Sequence, residues 1–170
     1  MSLLQKLVYH LTIKPRLNKL KKLLPEAIIQ PTGSRYVCDP PVMGTDIDFL
    51  VYSEVDVDST LLVAGYAKTI LQYPMDGDQF NAWRRNKENL IVTSSVKYAE
   101  GFHTATHICK TKNIRSKFAR VLIHEALRGT WDDAILWDDK QLRDLLASFN
   151  GPYGHAIHQA YRAQHGLGRF

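Results

Sequence analysis

The chain has 170 residues, of which 45% are apolar and 23% charged, and this balance predicts one globular domain that buries most of its apolar surface. No apolar run approaches the roughly 18 residues that a membrane span needs, and the first residues lack a signal peptide's layout, so we expect a cytoplasmic protein with no membrane partner. A net charge of +5 favours anionic partners such as nucleotides, RNA or DNA, although a solvated surface with surplus lysine explains it equally well.

The N-terminal segment is expected to be helical. Leucines at helical spacing predict an amphipathic helix over residues 2–13, which Pro15 should end or restart. The pattern resumes over residues 16–24, with leucines on one face and lysines largely opposite. This is the most basic part of the chain, and its charged face is either solvated or contacts nucleic acid or an acidic partner.

A strand and a small-residue turn follow these helices. Residues 26–30 predict the first strand. Shortly after it, Gly33 can adopt a positive φ and Ser34 offers both a hydroxyl and a backbone amide. Such a turn lets a phosphate approach the backbone closely, and the loop 35–45 then leads to a second strand.

The second strand alternates two acids with large apolar residues from Asp46 to Tyr52, so Asp46 and Asp48 should face the same side. Their side chains would lie about 7 Å apart, which is twice the rise per residue. The two carboxylates then repel each other and raise one another's pKa unless a cation lies between them. Mg²⁺ held by carboxylates and substrate phosphates is one solution, and solvated acids or acids that cap a turn are the alternatives.

This order of features resembles the signature of a known family. A strand, then Gly33-Ser34, then eleven residues, then Asp46-Ile47-Asp48 on a second strand resembles the polymerase-beta-type nucleotidyltransferase superfamily. The likeness is closest to the small nucleotidyltransferase-like proteins of bacteriophages. It implies an α/β (α+β) fold, in which a small mixed twisted sheet is flanked by helices and a helical C-terminal extension follows.

The resemblance also implies how the chain is organised. We expect a single nucleotidyltransferase-like domain over residues 1–170, with its core at about residues 26–129. A helical segment at residues 2–24 precedes this core, and a helical tail at residues 130–170 follows it. If the protein is phage-encoded, its location is the cytoplasm of the host.

The activity that the resemblance implies is transfer of a nucleoside monophosphate from an NTP to a hydroxyl, with Mg²⁺ or Mn²⁺ as the cofactor. Asp46 and Asp48 would hold the metal, and Gly33 and Ser34 would grip the β and γ phosphates. The acceptor stays open, because an RNA or tRNA end, a protein side chain and a small molecule all offer hydroxyl groups.

Three further elements follow the aspartate strand. Asp58 or Ser59 is expected to cap a short helix that runs to about Ile70 or Leu71. Two segments, 80–84 and 89–93, then predict a pair of strands joined by a charged turn.

Asn89 occupies an important position in this strand pair. Active members of the family carry a third carboxylate on the strand beside the aspartates, where it helps to bind the metal and activates the attacking hydroxyl. The matching residue here is Asn89, as it also is in the phage-encoded relatives. An amide cannot act as a base at neutral pH, although its carbonyl oxygen can bind a hard cation. The alternative to an enzyme is therefore a catalytically weakened nucleotide- or RNA-binding module on the same fold.

Basic residues at two places are candidates for phosphate binding. Arg84 and Arg85 follow Trp83, and guanidinium groups suit phosphates while an indole can stack on a base. The alternative is a hairpin with the indole in the core and both arginines in water. Lys117 and Arg120 lie one turn apart on a predicted helix, where the resemblance implies contact with the triphosphate and solvent exposure is the alternative.

Helices are expected over the rest of the chain, at residues 96–112 and 116–128 and again in the tail. Within them, His103 and His107 have the i, i+4 spacing of zinc ligands, but the Glu that a zinc-peptidase helix needs is missing, so structural or surface roles are preferred. A metal-dependent hydrolase that uses histidines is a third functional option. The remaining candidates are two unassigned histidines in the tail and two cysteines expected to be reduced thiols: His155, His158, Cys38 and Cys109.

Overall fold

The computed structural model describes residues 2–69, 80–128 and 139–170, which form a mixed α/β fold. A five-stranded sheet has the strand order β1-β2-β5-β4-β3, in which β2 and β5 are parallel and the other neighbours are antiparallel. The strands are β1 (Ile28–Thr32), β2 (Ile47–Tyr52), β3 (Ala67–Thr69), β4 (Asn81–Arg85) and β5 (Glu88–Thr93). The predicted fold class is confirmed.

Helices cover both faces of this sheet. They are α1 (Leu3–Val8), α2 (Lys14–Leu23), α3 (Gly33–Val37), α4 (Asp58–Val63), α5 (Val96–Thr111), α6 (Lys117–Arg128), α7 (Lys140–Asn150) and α8 (Gly154–Gln164). A π-helical segment, Tyr9–Ile13, joins α1 to α2. Among the residues that the structure describes, no helix is both long enough and apolar enough to cross a membrane.

The N-terminal helix restarts at Pro15, as one of the two expected outcomes. Pro15 lies in the first turn of α2, where its missing N–H is tolerated. The π-helical segment directly precedes this turn, so the change in hydrogen-bond pattern occurs where proline would otherwise disturb the helix.

The predicted bounds of one strand and one helix need correction. The first strand is Ile28–Thr32 and not 26–30, because antiparallel pairing with β2 extends through Thr32 opposite Asp48. Pro31 is tolerated there because β1 is an edge strand. The predicted helix from Asp58 ends at Val63, well before residues 70 and 71, which lie outside the described residues. Gly65 follows with φ +82°, a conformation that ends a helix, and the chain continues as β3.

The two faces of the sheet bury different side chains. One face packs against α2 and α4 through apolar residues that alternate along the strands, including Phe49, Leu90 and Trp83. The opposite face packs against α5 through a smaller cluster that includes Leu50 and Tyr98. The second face is therefore covered only in part by apolar side chains, which leaves room for polar groups.

The C-terminal helices pack on the same body as α5 and α6. Leu142 and Leu146 of α7 are buried in a cluster with Ile108 and Ile123. The described part of the predicted tail thus completes an apolar core between helices, while residues 129–138, where the tail was predicted to begin, lie outside the described residues.

Candidate functional site

A row of four polar residues crosses four neighbouring strands. Thr32 pairs with Asp48, Asp48 pairs with Asn89, and Asn89 pairs with Arg84. Because side chains alternate along each strand, these four residues share the sheet face opposite Phe49. The alternation that turns Phe49 and Leu90 to one face therefore directs the polar row to the other face.

A cavity of about 620 Å³ lies over this row. Its wall opposite the sheet is α6, which contributes residues at i, i+3, i+4 and i+7 on one helix face. Two glycines, Gly33 and Gly44, line the cavity together with polar residues, which are Thr32, Ser34, Thr45, Asp46, Asp48, Arg84, Asn89, Lys117 and Arg120. Apolar and aromatic residues lining it are Val37, Ile91, Phe102, Val121 and His124. A volume of this size falls within the range of small-molecule sites, about 300–1,000 Å³.

The bend at Gly33 lies directly against the second aspartate. Gly33 has φ +72°, and a Cβ atom added to it would lie 1.9 Å from Asp48 Oδ2. No other residue fits this position without moving the strand or the bend. Ser34 continues into α3, and its hydroxyl donates to Thr45 Oγ1 at 3.3 Å, which connects the bend to the residue that precedes Asp46.

The carboxylate of Asp48 lies in an environment that disfavours its charge. Burial raises its pKa most, and the nearby charge of Asp46 raises it further. The hydrogen bond from Asn89 Nδ2 to Asp48 Oδ1, at 2.8 Å, and the charges of Arg84 and Arg35 act in the opposite direction. Mutual repulsion of the two aspartates was predicted from the sequence, but the larger cause is loss of contact with water.

Asp46 is the more accessible of the two acids. It lies one residue before β2, its side chain is 42% exposed, and its Oδ2 is 3.9 Å from Arg84 Nη2. Arg35 is buried below it and donates to the carbonyl oxygen of Thr45, so a buried guanidinium holds the loop that presents Asp46.

The oxygen donors of this site fit a hard cation such as Mg²⁺. Asp46 and Asp48 supply carboxylates, and Oδ1 of Asn89 is buried without a hydrogen-bond partner. Within the described ranges, no group of three or more His, Cys, Asp or Glu side chains is arranged to hold a metal. A cation here would therefore need ligands beyond the protein carboxylates, and oxygen atoms of a substrate phosphate are of the required kind.

The basic residues predicted to bind phosphate differ in how their charged groups are engaged. Arg84 and Lys117 line the cavity, and both are exposed. Arg120 also lines it, but its Nη1 donates to the carbonyl oxygens of Ile114 and Arg115, at 3.1 and 2.6 Å. Its guanidinium is therefore mainly engaged with the chain that precedes α6.

Arg85 and Trp83 are not brought to the cavity. Arg85 donates to the carbonyl oxygen of Ala64, to Tyr66 Oη and to Glu88 Oε2, at 2.8, 3.0 and 3.0 Å. Trp83 is buried among the apolar residues of the other sheet face. Strand alternation explains both positions, because it turns these two side chains away from Arg84.

The sequence interpretation missed several residues of the cavity. Val121 and His124 follow Lys117 at i+4 and i+7, so helical spacing alone would have added them once Lys117 was a candidate. Phe102 and Ile91 carried no comparable signal, because apolar residues on buried elements are indistinguishable from core residues in a sequence.

The candidate histidines make packing contacts. His103 lies 5.4 Å from the ring of Phe170 and burial lowers its pKa to about 4, while the ring of His107 lies 5.0 Å from that of His165. His158 shares a hydrogen bond of 2.7 Å with the hydroxyl of Thr104. The last three candidates are the exposed His155 and two buried free cysteines, Cys38 and Cys109.

Comparisons of this chain with protein-family models, with curated proteins and with solved structures find no match.

Proposed function

We propose that this protein is a nucleotidyltransferase that uses Mg²⁺ or Mn²⁺ to transfer a nucleoside monophosphate from an NTP to a hydroxyl acceptor. One observation carries the proposal: the contact between the Gly33 bend and the Asp48 carboxylate, inside a cavity that Asp46 and Ser34 also line. A phosphate-accessible bend and two acids on one pocket are what the chemistry needs, because metal and phosphate must meet there.

Each part of the cavity has a role in this proposal. Asp46 and Asp48 hold the cation, which when bound neutralises charge on the triphosphate and on the leaving pyrophosphate. Gly33 and Ser34 receive the β and γ phosphates through backbone amides and a hydroxyl. Arg84 and Lys117 add positive charge for the triphosphate, and apolar lining residues such as Ile91 and Phe102 contact the nucleoside.

The decisive experiment measures transfer directly. The protein is incubated with each α-labelled NTP, Mg²⁺ or Mn²⁺, and a mixed pool of RNA, tRNA, protein and small-molecule acceptors. We expect labelled product that disappears on chelation of the metal and in the variants Asp46→Asn and Asp48→Asn. Asp144→Asn on α7 is the matched control, because Asp144 is exposed, pairs with Lys140 and does not line the cavity. Full activity in Asp46→Ala would contradict the proposal.

A second candidate is a binding module that keeps the cavity but performs no transfer. The observation that favours it is the position of Asn89, whose amide cannot remove a proton and donates to Asp48 Oδ1. A module of this kind would bind NTP or RNA reversibly, with the same dependence on Asp46 and Asp48. The labelling experiment separates the two, because the enzyme yields a new covalent product and the module yields only a reversible complex.

A further inference from the structure

A second cavity, of about 130 Å³, lies between β1, α3 and α5. It is lined by Lys110, and we call it the Lys110 cavity. Thr106 also lines it, and the hydroxyl of Thr106 shares a hydrogen bond of 2.8 Å with that of Thr32, which lines the larger cavity. This volume is far larger than the roughly 10–15 Å³ that a cavity needs to hold one water molecule. It is too small for a nucleotide.

The ammonium group of Lys110 is the positive charge of this cavity. Lys110 is half-buried, and its Nζ lies 3.5 Å from the centroid of the Tyr36 ring. The ring face attracts the ammonium but carries no net negative charge. In the part of the chain that is described, no carboxylate forms an ion pair with Lys110. Burial alone lowers the pKa of Lys110 to about 8. A partly buried ammonium without a counter-ion is costly, and an anion would remove that cost.

Neighbouring polar groups of the Lys110 cavity also lack partners. Oε1 of Gln30 and Nδ1 of His103 are buried without a hydrogen bond. Burial lowers the pKa of both His103 and His107, so at neutral pH each imidazole is uncharged and carries one N–H. The NH₂ of Gln30 can serve as a donor, because no hydrogen bond within the described residues fixes the orientation of this amide. The cavity thus combines one ammonium with several neutral donors.

We propose that the Lys110 cavity binds a small oxyanion of the phosphate class, with Lys110 supplying the charge and Gln30 and His103 supplying hydrogen bonds. Among the residues that the structure describes, no carboxylate lines this cavity to attract a cation, and the volume admits a tetrahedral anion. The anion is either free phosphate or the terminal phosphate of a phosphate monoester, since both present the same oxygens. This binding does not depend on the proposed transferase activity.

The wild-type protein provides the first test. Lysines are labelled with a limiting amount of an acetylating reagent at pH 8, and the rate at each lysine is measured by peptide mass spectrometry. The reaction is run with chloride, inorganic phosphate or glycerol phosphate at equal ionic strength. Lys97 is the internal control, because it is an exposed lysine at the other end of α5. Phosphate at about ten times its dissociation constant should slow Lys110 about tenfold and leave Lys97 unchanged.

Substitutions provide the second test. Calorimetric titration with phosphate should lose one binding event in Lys110→Met and keep it in Lys97→Met. Lys117→Met removes charge from the larger cavity and should leave the protection of Lys110 intact, which separates the two anion sites. Protection by glycerol phosphate as well as phosphate assigns a monoester, and protection by phosphate alone assigns the free anion. Equal acetylation of Lys110 with phosphate and with chloride would overturn the proposal, and this arm needs no variant that might fail to fold.

Discussion

Gly33 at the start of α3 lies against Asp48 of β2, and each restricts the other. A Cβ at residue 33 would lie 1.9 Å from Asp48 Oδ2 and 2.9 Å from Asp48 Cβ. Rotation of the carboxylate relieves the first contact but not the second, so any side chain at residue 33 must displace backbone. The bend at Gly33 and the side chain of Asp48 therefore form one unit, and a substitution at either residue should displace the other.

Gly33→Ala tests this unit. We expect loss of metal-dependent NTP binding together with a fall in the free energy of unfolding, because the alanine both strains a positive φ and displaces Asp48. Gly65→Ala is the matched control, since Gly65 has φ +82° but its added Cβ meets only Arg85 Cδ at 3.8 Å. The control should cost about 1–3 kcal/mol from backbone strain and keep NTP binding. Equal behaviour of the two variants would show that the contact with Asp48 is unimportant.

Asp48→Asn should separate stability from binding. The carboxylate is largely withdrawn from water beside Asp46, so replacing it with an uncharged group of the same shape removes a cost in the metal-free protein. The new side chain keeps a carbonyl oxygen to accept from Asn89 Nδ2. Without metal we expect a melting temperature equal to or above that of the wild type. With Mg²⁺ and NTP at 100 times the dissociation constant, only the wild type should gain about 2.7 kcal/mol. A marked loss of stability in the metal-free variant would contradict this reasoning.

The row that contains Asp48 shows what a sequence can and cannot supply. Alternation of acids and large apolar residues was enough to predict the strand, its buried face and the side to which Asp48 points. The same alternation could not predict that Thr32 belongs to the row. Thr32 joins the row through the antiparallel register of β1, and the predicted strand ended at residue 30, before Pro31. Register depends on pairing between distant segments, which no local pattern records.

Helix packing sets a second limit. The sequence predicts which residues share a face of α6. It does not predict which face turns toward the sheet, because that depends on how α6 packs against α5 and α7. Charge makes both Lys117 and Arg120 candidates for phosphate binding. The structure distinguishes them, because the guanidinium of Arg120 donates to two backbone carbonyl oxygens. Arg85 differs from Arg84 in the same way, since Tyr66 and Glu88 engage it on the opposite face.

The hydrogen bond between Thr32 and Thr106 should contribute measurably to stability. Both hydroxyls are buried, and they bond to each other at 2.8 Å. Thr106→Val leaves the Thr32 hydroxyl without a partner and should cost about 1–3 kcal/mol. Thr32→Val with Thr106→Val should cost less than the sum of the two single changes, because no buried hydroxyl is then left unpaired. Chemical denaturation of the four proteins measures the coupling, and strict additivity would mean that the pair is not formed.

The thiols should be unreactive until the protein unfolds. Cys38 and Cys109 are both fully buried, and burial raises the pKa of the Cys109 thiol to about 12. At pH 8 only about one part in ten thousand of the Cys109 thiol is then ionised, and the thiolate is the reactive form. A colorimetric thiol reagent should label no cysteine in the native protein and two in denaturant. Rapid native labelling of either cysteine would show that the structure around it opens readily.

Asn89→Asp distinguishes an enzyme from a binding module at the same cavity. The new carboxylate lies in register with Asp48 and removes the amide that donates to Asp48 Oδ1, so the metal-free variant should lose about 1–3 kcal/mol of stability. Mg²⁺ should restore more stability to this variant than to the wild type, because a cation relieves the added repulsion. A correctly placed base typically contributes about 10²–10⁴ in rate, so transfer should rise if the amide limits the reaction. Asn89→Ala is the control that removes the amide without adding a base. If Asn89→Asp transfers no faster than Asn89→Ala, residue 89 does not act on the acceptor, and its part is to hold Asp48.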